Sequence, residues 1–181
     1  MIRTALVLSL IATPAFAATD CPQERAIYAE KDNGYVLTFR PPLRWEASAN
    51  TLTILTLDFP AFEGTGKVSL WGWIWIPNGT SHDRIEFFNG CSLDSLPDPN
   101  GDVVPGSTHE ELEACSVWEG VILALADDDI HELRWFDEGT AAETLLLPNL
   151  GPTIRYSGLV LSPGQEPHDV FTYQGCSPES E

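Results

Sequence analysis

Aliphatic residues alternate with tryptophans most clearly in residues 67–77, which have the sequence KVSLWGWIWIP. Successive side chains of an extended strand point to opposite faces, so this segment has two distinct sides. One side carries Val68, Leu70, Gly72, Ile74 and Ile76, and the other carries Ser69, Trp71, Trp73 and Trp75. The pattern predicts a central strand that packs a core with its aliphatic side and presents tryptophans on its other side.

Shorter segments of strand-forming residues occur before and after this one. We predict strands at residues 26–30, 35–39, 52–59, 84–88, 153–161 and 170–173. The Asn33-Gly34 pair predicts a tight hairpin turn between the first two. Residues 117–126 suit a buried helix or a buried strand, and the interior Gly120 favours a strand that forms a hairpin with residues 130–136.

Helix signals are fewer. Ser107 and Thr108 followed by a run of glutamates predict a short helix over residues 108–114, with acids at its positive end. Residues 140–143 have the spacing of a capping box and predict a helical turn, although the leucines that follow suit a strand equally well. Many short strands with Gly/Pro turns predict a mainly β fold, an antiparallel β-sandwich or open barrel with one or two short helices.

The first 17 residues have the features of a secretory signal. Arg3 is followed by an apolar run and by Ala15-Phe16-Ala17, a small-residue cleavage site. The apolar run is too short to span a bilayer. We therefore expect a signal peptide at residues 1–17, a single domain at residues 18–181 without a membrane span, and a periplasmic or extracellular location.

Four cysteines follow this segment, and an even number in an exported chain predicts two disulfides. Three pairings are open. We favour Cys91–Cys115, which closes the Pro/Gly-rich stretch between them, and this leaves Cys21–Cys176 to tie the two ends of the domain together.

The chain is strongly acidic, with a formal net charge of −18. Such a surface repels nucleic acids, whereas it attracts basic proteins, polycations and divalent metals. Solubility alone also accounts for this charge.

The tryptophan side of residues 67–77 is the main candidate site. Three indoles present roughly 600 Å² of mostly apolar surface, at about 200 Å² each. Burying that area is worth about 15 kcal/mol before other costs, so exposure needs a reason. Cover by the short helix or the long loop is favoured, and the alternative is a partly exposed surface on which Trp71, Trp73 and Trp75 contact a ligand.

A second candidate is a calcium site. Asp98, Asn100 and Asp102 place oxygen ligands at every second position, as calcium loops do. Val103 and His109 then stand where such a loop has glycine and glutamate, so a solvated turn is favoured. No other cofactor is predicted.

These observations favour an exported, non-catalytic binding domain that contacts a glycan or another protein through its aromatic strand face. One alternative is an acidic, inhibitor-like protein that binds a basic partner through its negative field. The other is a metal-assisted or carboxylate hydrolase, for which the many acids give no specific spacing.

Overall fold

The structure is a computed structural model. It describes residues 21–44, 46–47, 50–60, 66–77, 79, 82–91, 109–126, 129–133, 140–157, 159 and 164–178. The predicted signal segment, the calcium candidates Asp98, Asn100 and Asp102, and most of the loop after Cys91 lie outside these residues.

Ten strands and two short helices make up the described part of the chain, after a 3₁₀ turn at Gln23–Arg25. In chain order they are β1 (Ala26–Ala29), β2 (Val36–Arg40), β3 (Thr51–Pro60), β4 (Lys67–Trp75), β5 (Arg84–Phe88), α1 (His109–Cys115), β6 (Ser116–Val121), β7 (Leu123–Ala126), β8 (Asp129–His131), β9 (Thr144–Leu146), α2 (Leu150–Tyr156) and β10 (Val170–Cys176).

The strands form one antiparallel sheet in the order β6-β5-β4-β3-β2-β1-β10-β9-β7-β8, which curls into a half-barrel. Only Ile122 separates β6, at one end of this order, from β7, near the other end. The sheet therefore curls until its two ends are neighbours along the chain. The mainly β prediction is confirmed, and of its two architectures the open barrel describes this sheet.

One buried cluster forms the core, and its residues come from strands at both ends of the strand order as well as from the middle. Its aromatic members are Tyr28, Tyr35, Phe39, Phe59, Phe87, Trp118 and Phe171. Strand β4 contributes the buried Leu70 and Ile74, as its alternation predicts. Ile76 is the exception, because β4 ends at Trp75 and the Ile76 side chain is exposed.

Both disulfides form with the pairing that the sequence favours. Cys21 bonds Cys176 at a Cα separation of 5.7 Å, and Cys91 bonds Cys115 at 6.1 Å. The first joins the start of the described chain to the end of β10, and the second joins the residues after β5 to the end of α1. Within the described ranges, no helix is long and apolar enough to cross a lipid bilayer.

The predicted strand at residues 153–161 is wrong, because residues 150–156 form α2. The Asp169 carboxylate accepts hydrogen bonds from the backbone N–H groups of Asn149 and Leu150, at 2.9 and 3.1 Å. These bonds fix the start of the helix, which then buries Leu150 and Ile154 four residues apart. The signal that sets this helix thus comes from a residue 20 positions away in sequence.

The helical turn predicted at residues 140–143 is also wrong. This segment runs without regular structure into strand β9, which is the alternative that the three leucines suggested. Residues 117–126 are extended, as predicted, but Ile122 divides them into β6, which pairs with β5, and β7, which forms the predicted hairpin with β8. The return strand is shorter than the predicted 130–136, because β8 ends at His131 and the next two residues lie outside any strand.

Candidate functional site

Strand β4 lies between β3 and β5, and its pairing fixes where each tryptophan stands. Across to β5, Trp71 is opposite Phe88, Trp73 is opposite Glu86, and Trp75 is opposite Arg84. Neighbouring indoles contact one another, with ring centroids 6.1 Å apart for Trp71 and Trp73 and 6.0 Å apart for Trp73 and Trp75. The three rings therefore share the side of the sheet opposite the core, as the pleated strand predicts.

Trp71 is largely buried, with 9% of its surface exposed. Its ring stacks on Phe88 at 4.4 Å and 21°, and Leu112 of α1 belongs to the same buried cluster. Its indole N–H donates a hydrogen bond to the carbonyl oxygen of Cys91 at 2.8 Å. Helix α1, which the Cys91–Cys115 disulfide links to the residues after β5, thus covers this end of the tryptophan row. We therefore assign Trp71 a structural role.

Trp73 and Trp75 are only partly buried. Trp73 meets Trp71 edge to face at 89°, and Trp75 meets Trp73 at 68°. The rings form a herringbone row, which is the arrangement that aromatic quadrupoles favour. The three rings therefore do not form one continuous flat surface. Each partly exposed indole presents its own separate surface.

Charged side chains border these two indoles. The Trp73 N–H donates a hydrogen bond to Oε2 of Glu86 at 3.3 Å. Arg84, which is opposite Trp75, forms an ion pair with Glu119 of β6 at 2.6 Å. We call Trp73, Trp75, Arg84, Glu86 and Glu119 the tryptophan patch. It combines apolar rings with carboxylates and one guanidinium on the side of the sheet opposite the core, which is chemistry suited to binding.

Two chemical groupings found in the structure have no counterpart in the sequence analysis. The first joins Glu30, Asp32 and His168, where His168 Nε2 lies 3.9 Å from Glu30 Oε1 and 3.6 Å from Asp32 Oδ2. One imidazole and two carboxylates suit a divalent cation. However, the buried Glu30 carboxylate already accepts the backbone N–H groups of Asp32 and Asn33, at 3.0 and 2.6 Å, and so stabilises the β1–β2 turn. Asp32 and His168 are too far apart in sequence for any local motif to join them.

The second grouping is a cleft of about 690 Å³ that Arg25 and Arg40 help to line. Both guanidinium groups are bonded within the protein. Arg25 donates to the carbonyl oxygen of Ser177 at 2.7 Å, and Arg40 forms a two-pronged ion pair with the buried Glu46 at 2.5 and 2.6 Å. These contacts fasten the adjoining segments to the sheet, so a structural role accounts for both arginines.

Shifted pKa values occur in the core. Burial raises the pKa of the phenols of Tyr28 and Tyr35 well above the usual value near 10, and nearby Glu166 and Glu30 raise that of Tyr35 further. The Tyr28 hydroxyl exchanges hydrogen bonds with Gln23, and the Tyr35 hydroxyl donates to the carbonyl oxygen of Gln165 at 2.9 Å. Both phenols therefore stay neutral and brace the interior.

The tryptophan patch is thus the candidate site, reduced by the burial of Trp71 to two of the three indoles that the sequence singled out. Comparisons of this chain with protein-family models, with curated proteins and with solved structures found no match.

Proposed function

We propose that this chain is an exported, non-catalytic binding domain, and that its ligand or partner protein contacts Trp73 and Trp75. One observation carries the proposal. On strand β4, Trp71 is buried under helix α1, whereas Trp73 and Trp75 are partly exposed. Leaving large apolar rings in contact with water costs free energy, and binding a partner recovers it.

Rigidity supports the same proposal. The two indoles stand on a strand that is paired on both sides, and their edge-to-face contacts restrain their side-chain rotation. A pre-ordered aromatic surface loses little conformational entropy on binding, which is one reason why tryptophan is common among residues that dominate interface energies. The two disulfides support an oxidising, periplasmic or extracellular location.

The first test asks whether these indoles meet solvent. Acrylamide quenching of tryptophan fluorescence would be compared among the wild type and the single variants Trp71→Phe, Trp73→Phe and Trp75→Phe. We expect that the last two variants each lose part of the quenchable emission and that Trp71→Phe does not. Equal quenching in all four proteins would mean that the patch is covered and would remove the proposed contact surface.

The second test asks whether the indoles bind. Soluble polysaccharides and a set of acidic and basic proteins would be screened by calorimetry against the wild type, Trp73→Ala, Trp75→Ala and Tyr156→Ala. Tyr156 is a matched control, because it is an aromatic side chain with 83% exposure on α2. We expect an affinity at least tenfold lower in the two tryptophan variants only. A ligand that binds both tryptophan variants as tightly as the wild type would refute the proposal.

A further inference from the structure

Three atoms that can ligate a metal ion meet where β1 ends and β10 begins. His168 Nε2 lies 3.9 Å from Glu30 Oε1 and 3.6 Å from Asp32 Oδ2, and all three atoms lie within 4.8 Å of one another. In a tetrahedral zinc site with bonds of about 2.0–2.1 Å, neighbouring ligand atoms are roughly 3.3–3.4 Å apart. The side chains of Asp32 and His168 are 60% and 64% exposed, so small rotations would bring their ligand atoms to this spacing.

The Glu30 carboxylate is the fixed member of this cluster. Its side chain has no exposed surface, and its two oxygens accept the backbone N–H groups of Asp32 and Asn33. A carboxylate oxygen has two lone pairs, so each oxygen keeps one acceptor position after taking one N–H. Hydrogen bonds of this kind orient the carboxylates that ligate metals in proteins. The bonds that stabilise the β1–β2 turn therefore also hold Glu30 in position as a ligand.

The segment that carries His168 is fastened on both sides of that residue. On one side, the side-chain amide of Asn33 donates a hydrogen bond to the carbonyl oxygen of Glu166 at 2.8 Å. On the other side, the carbonyl oxygen of Asp169 accepts the backbone N–H of Leu147 at 2.8 Å, and the Asp169 carboxylate holds the start of α2. The backbone is thus in place before an ion binds, which lowers the entropic cost of binding.

The charge and the chemistry of the three groups favour a divalent transition metal. Two carboxylates balance the charge of a divalent ion, and a neutral imidazole adds a ligand without adding charge. The net charge of −18 also draws cations towards the chain. Imidazole nitrogen suits zinc, whereas calcium and magnesium prefer sites made of oxygen ligands alone.

We propose that Glu30, Asp32 and His168 form a zinc site, with water as the fourth ligand on the exposed side. None of these residues belongs to the tryptophan patch, so the proposal does not depend on the proposed function. Bound zinc would link the end of β1 to the residues just before β10. The Cys21–Cys176 disulfide lies at the other end of the same strand pair, where Ala26 is opposite Cys176.

The first experiment is a calorimetric titration of Zn²⁺ into the disulfide-bonded protein after removal of metals with a chelator. The variants are His168→Gln, which removes the nitrogen ligand, and Asp32→Asn, which removes one carboxylate. Both side chains are exposed, so neither change should prevent folding. The control is His82→Gln, because His82 is also an exposed histidine beside a carboxylate, with Nδ1 3.5 Å from Oε1 of Glu132.

We expect that the wild type binds zinc and that the two site variants bind it at least about tenfold more weakly, since losing even a residue that supports a ligand weakens binding roughly 10- to 100-fold. The control should change the affinity less than twofold. Zinc should also raise the thermal unfolding midpoint of the wild type and of His82→Gln, but not that of His168→Gln, because an ion that binds only the folded chain stabilises it.

Nitrogen NMR of the imidazole side chains identifies the ligand atom. We expect zinc to shift the Nε2 signal of His168, which is assigned by its absence from the spectrum of His168→Gln. An ion pair between His168 and the two carboxylates needs no metal and predicts no such shift.

Each contrary result overturns the proposal. If the wild type binds no zinc, or if both site variants bind it as tightly as the wild type, the cluster is a set of ion pairs only. Equal losses in His82→Gln and His168→Gln would mean that zinc binds exposed histidines without selection. Calcium that displaces zinc at equal concentration would mean that the carboxylates alone hold the ion.

Discussion

Replacing Gly72 by alanine tests the packing that holds the tryptophan strand against β5. A Cβ atom at this position would collide with the backbone carbonyl oxygen of Glu86 and would lie 2.8 Å from Cδ1 of Phe87. Trimming the Phe87 ring would not restore the space, because the other obstacle is backbone. The strands must therefore separate locally, and such overpacking costs about 1–3 kcal/mol.

An opposing effect in the unfolded chain makes the sign of the stability change informative. Alanine has fewer conformations than glycine in the unfolded chain, and this alone stabilises a protein by about 0.4–1 kcal/mol. The net expectation is a destabilisation of about 0–2.6 kcal/mol, which corresponds to a melting temperature lower by about 0–10 °C for a chain of this size.

Calorimetry and urea unfolding would both be recorded, with Ser69→Ala as the control on an exposed position of the same strand. The control should change stability by less than about 0.5 kcal/mol. A higher melting temperature for Gly72→Ala would mean that β4 and β5 have room for the methyl group, and the close approach of these strands would be refuted.

Three further predictions concern the cover of the site and the core. Replacing Cys91 and Cys115 together by serine should lower the free energy of unfolding by about 3 kcal/mol on the loop-entropy model. It should also shift the tryptophan emission to the red, because α1 would no longer be held over Trp71. Unchanged emission would contradict the conclusion that α1 covers Trp71. Trp71→Ala should lower the free energy of unfolding, measured in urea, by about 3–5 kcal/mol. A decrease below about 1 kcal/mol would mean that the ring is not packed as described. Because the folded pKa values of Tyr28 and Tyr35 lie above their unfolded value near 10, the stability that they contribute is present below about pH 10 and is lost as the pH rises further. A spectrophotometric titration should therefore show these two phenols ionising only with unfolding, and reversible ionisation near pH 10 in the folded protein would be the contrary result.

The sequence predicts best where a local period decides the structure. In β4, alternation alone places Leu70 and Ile74 in the core and puts the indoles together on the other side. The favoured disulfide pairing is the one that forms, although the sequence left three pairings open. In contrast, α2 depends on the distant Asp169, so its composition, with the β-branched Thr153 and Ile154, suggested a strand instead.

Whether each indole is buried or exposed could not be predicted from the sequence, because tertiary contacts decide it. Trp71 and Trp75 have the same residue type, strand and side, yet only Trp71 lies under Leu112 of α1. That helix is linked to the end of β5 by the Cys91–Cys115 disulfide, and no pattern within β4 predicts its position. For the same reason the opposition of Glu86 and Glu119 is invisible in sequence, since it depends on the register between β5 and β6.

The place of β10 has a consequence for how the chain acquires its structure. Strand β10, the last of the described strands in chain order, lies in the interior of the sheet, between β1 and β9, rather than at a margin. When the chain emerges from a ribosome or a translocation channel, β1 lacks one of its two neighbours until residues 170–176 have also emerged. We therefore expect assembly to be a late, all-or-none event with slow kinetics, and a chain that stops before residue 170 should remain open to proteases along its whole length.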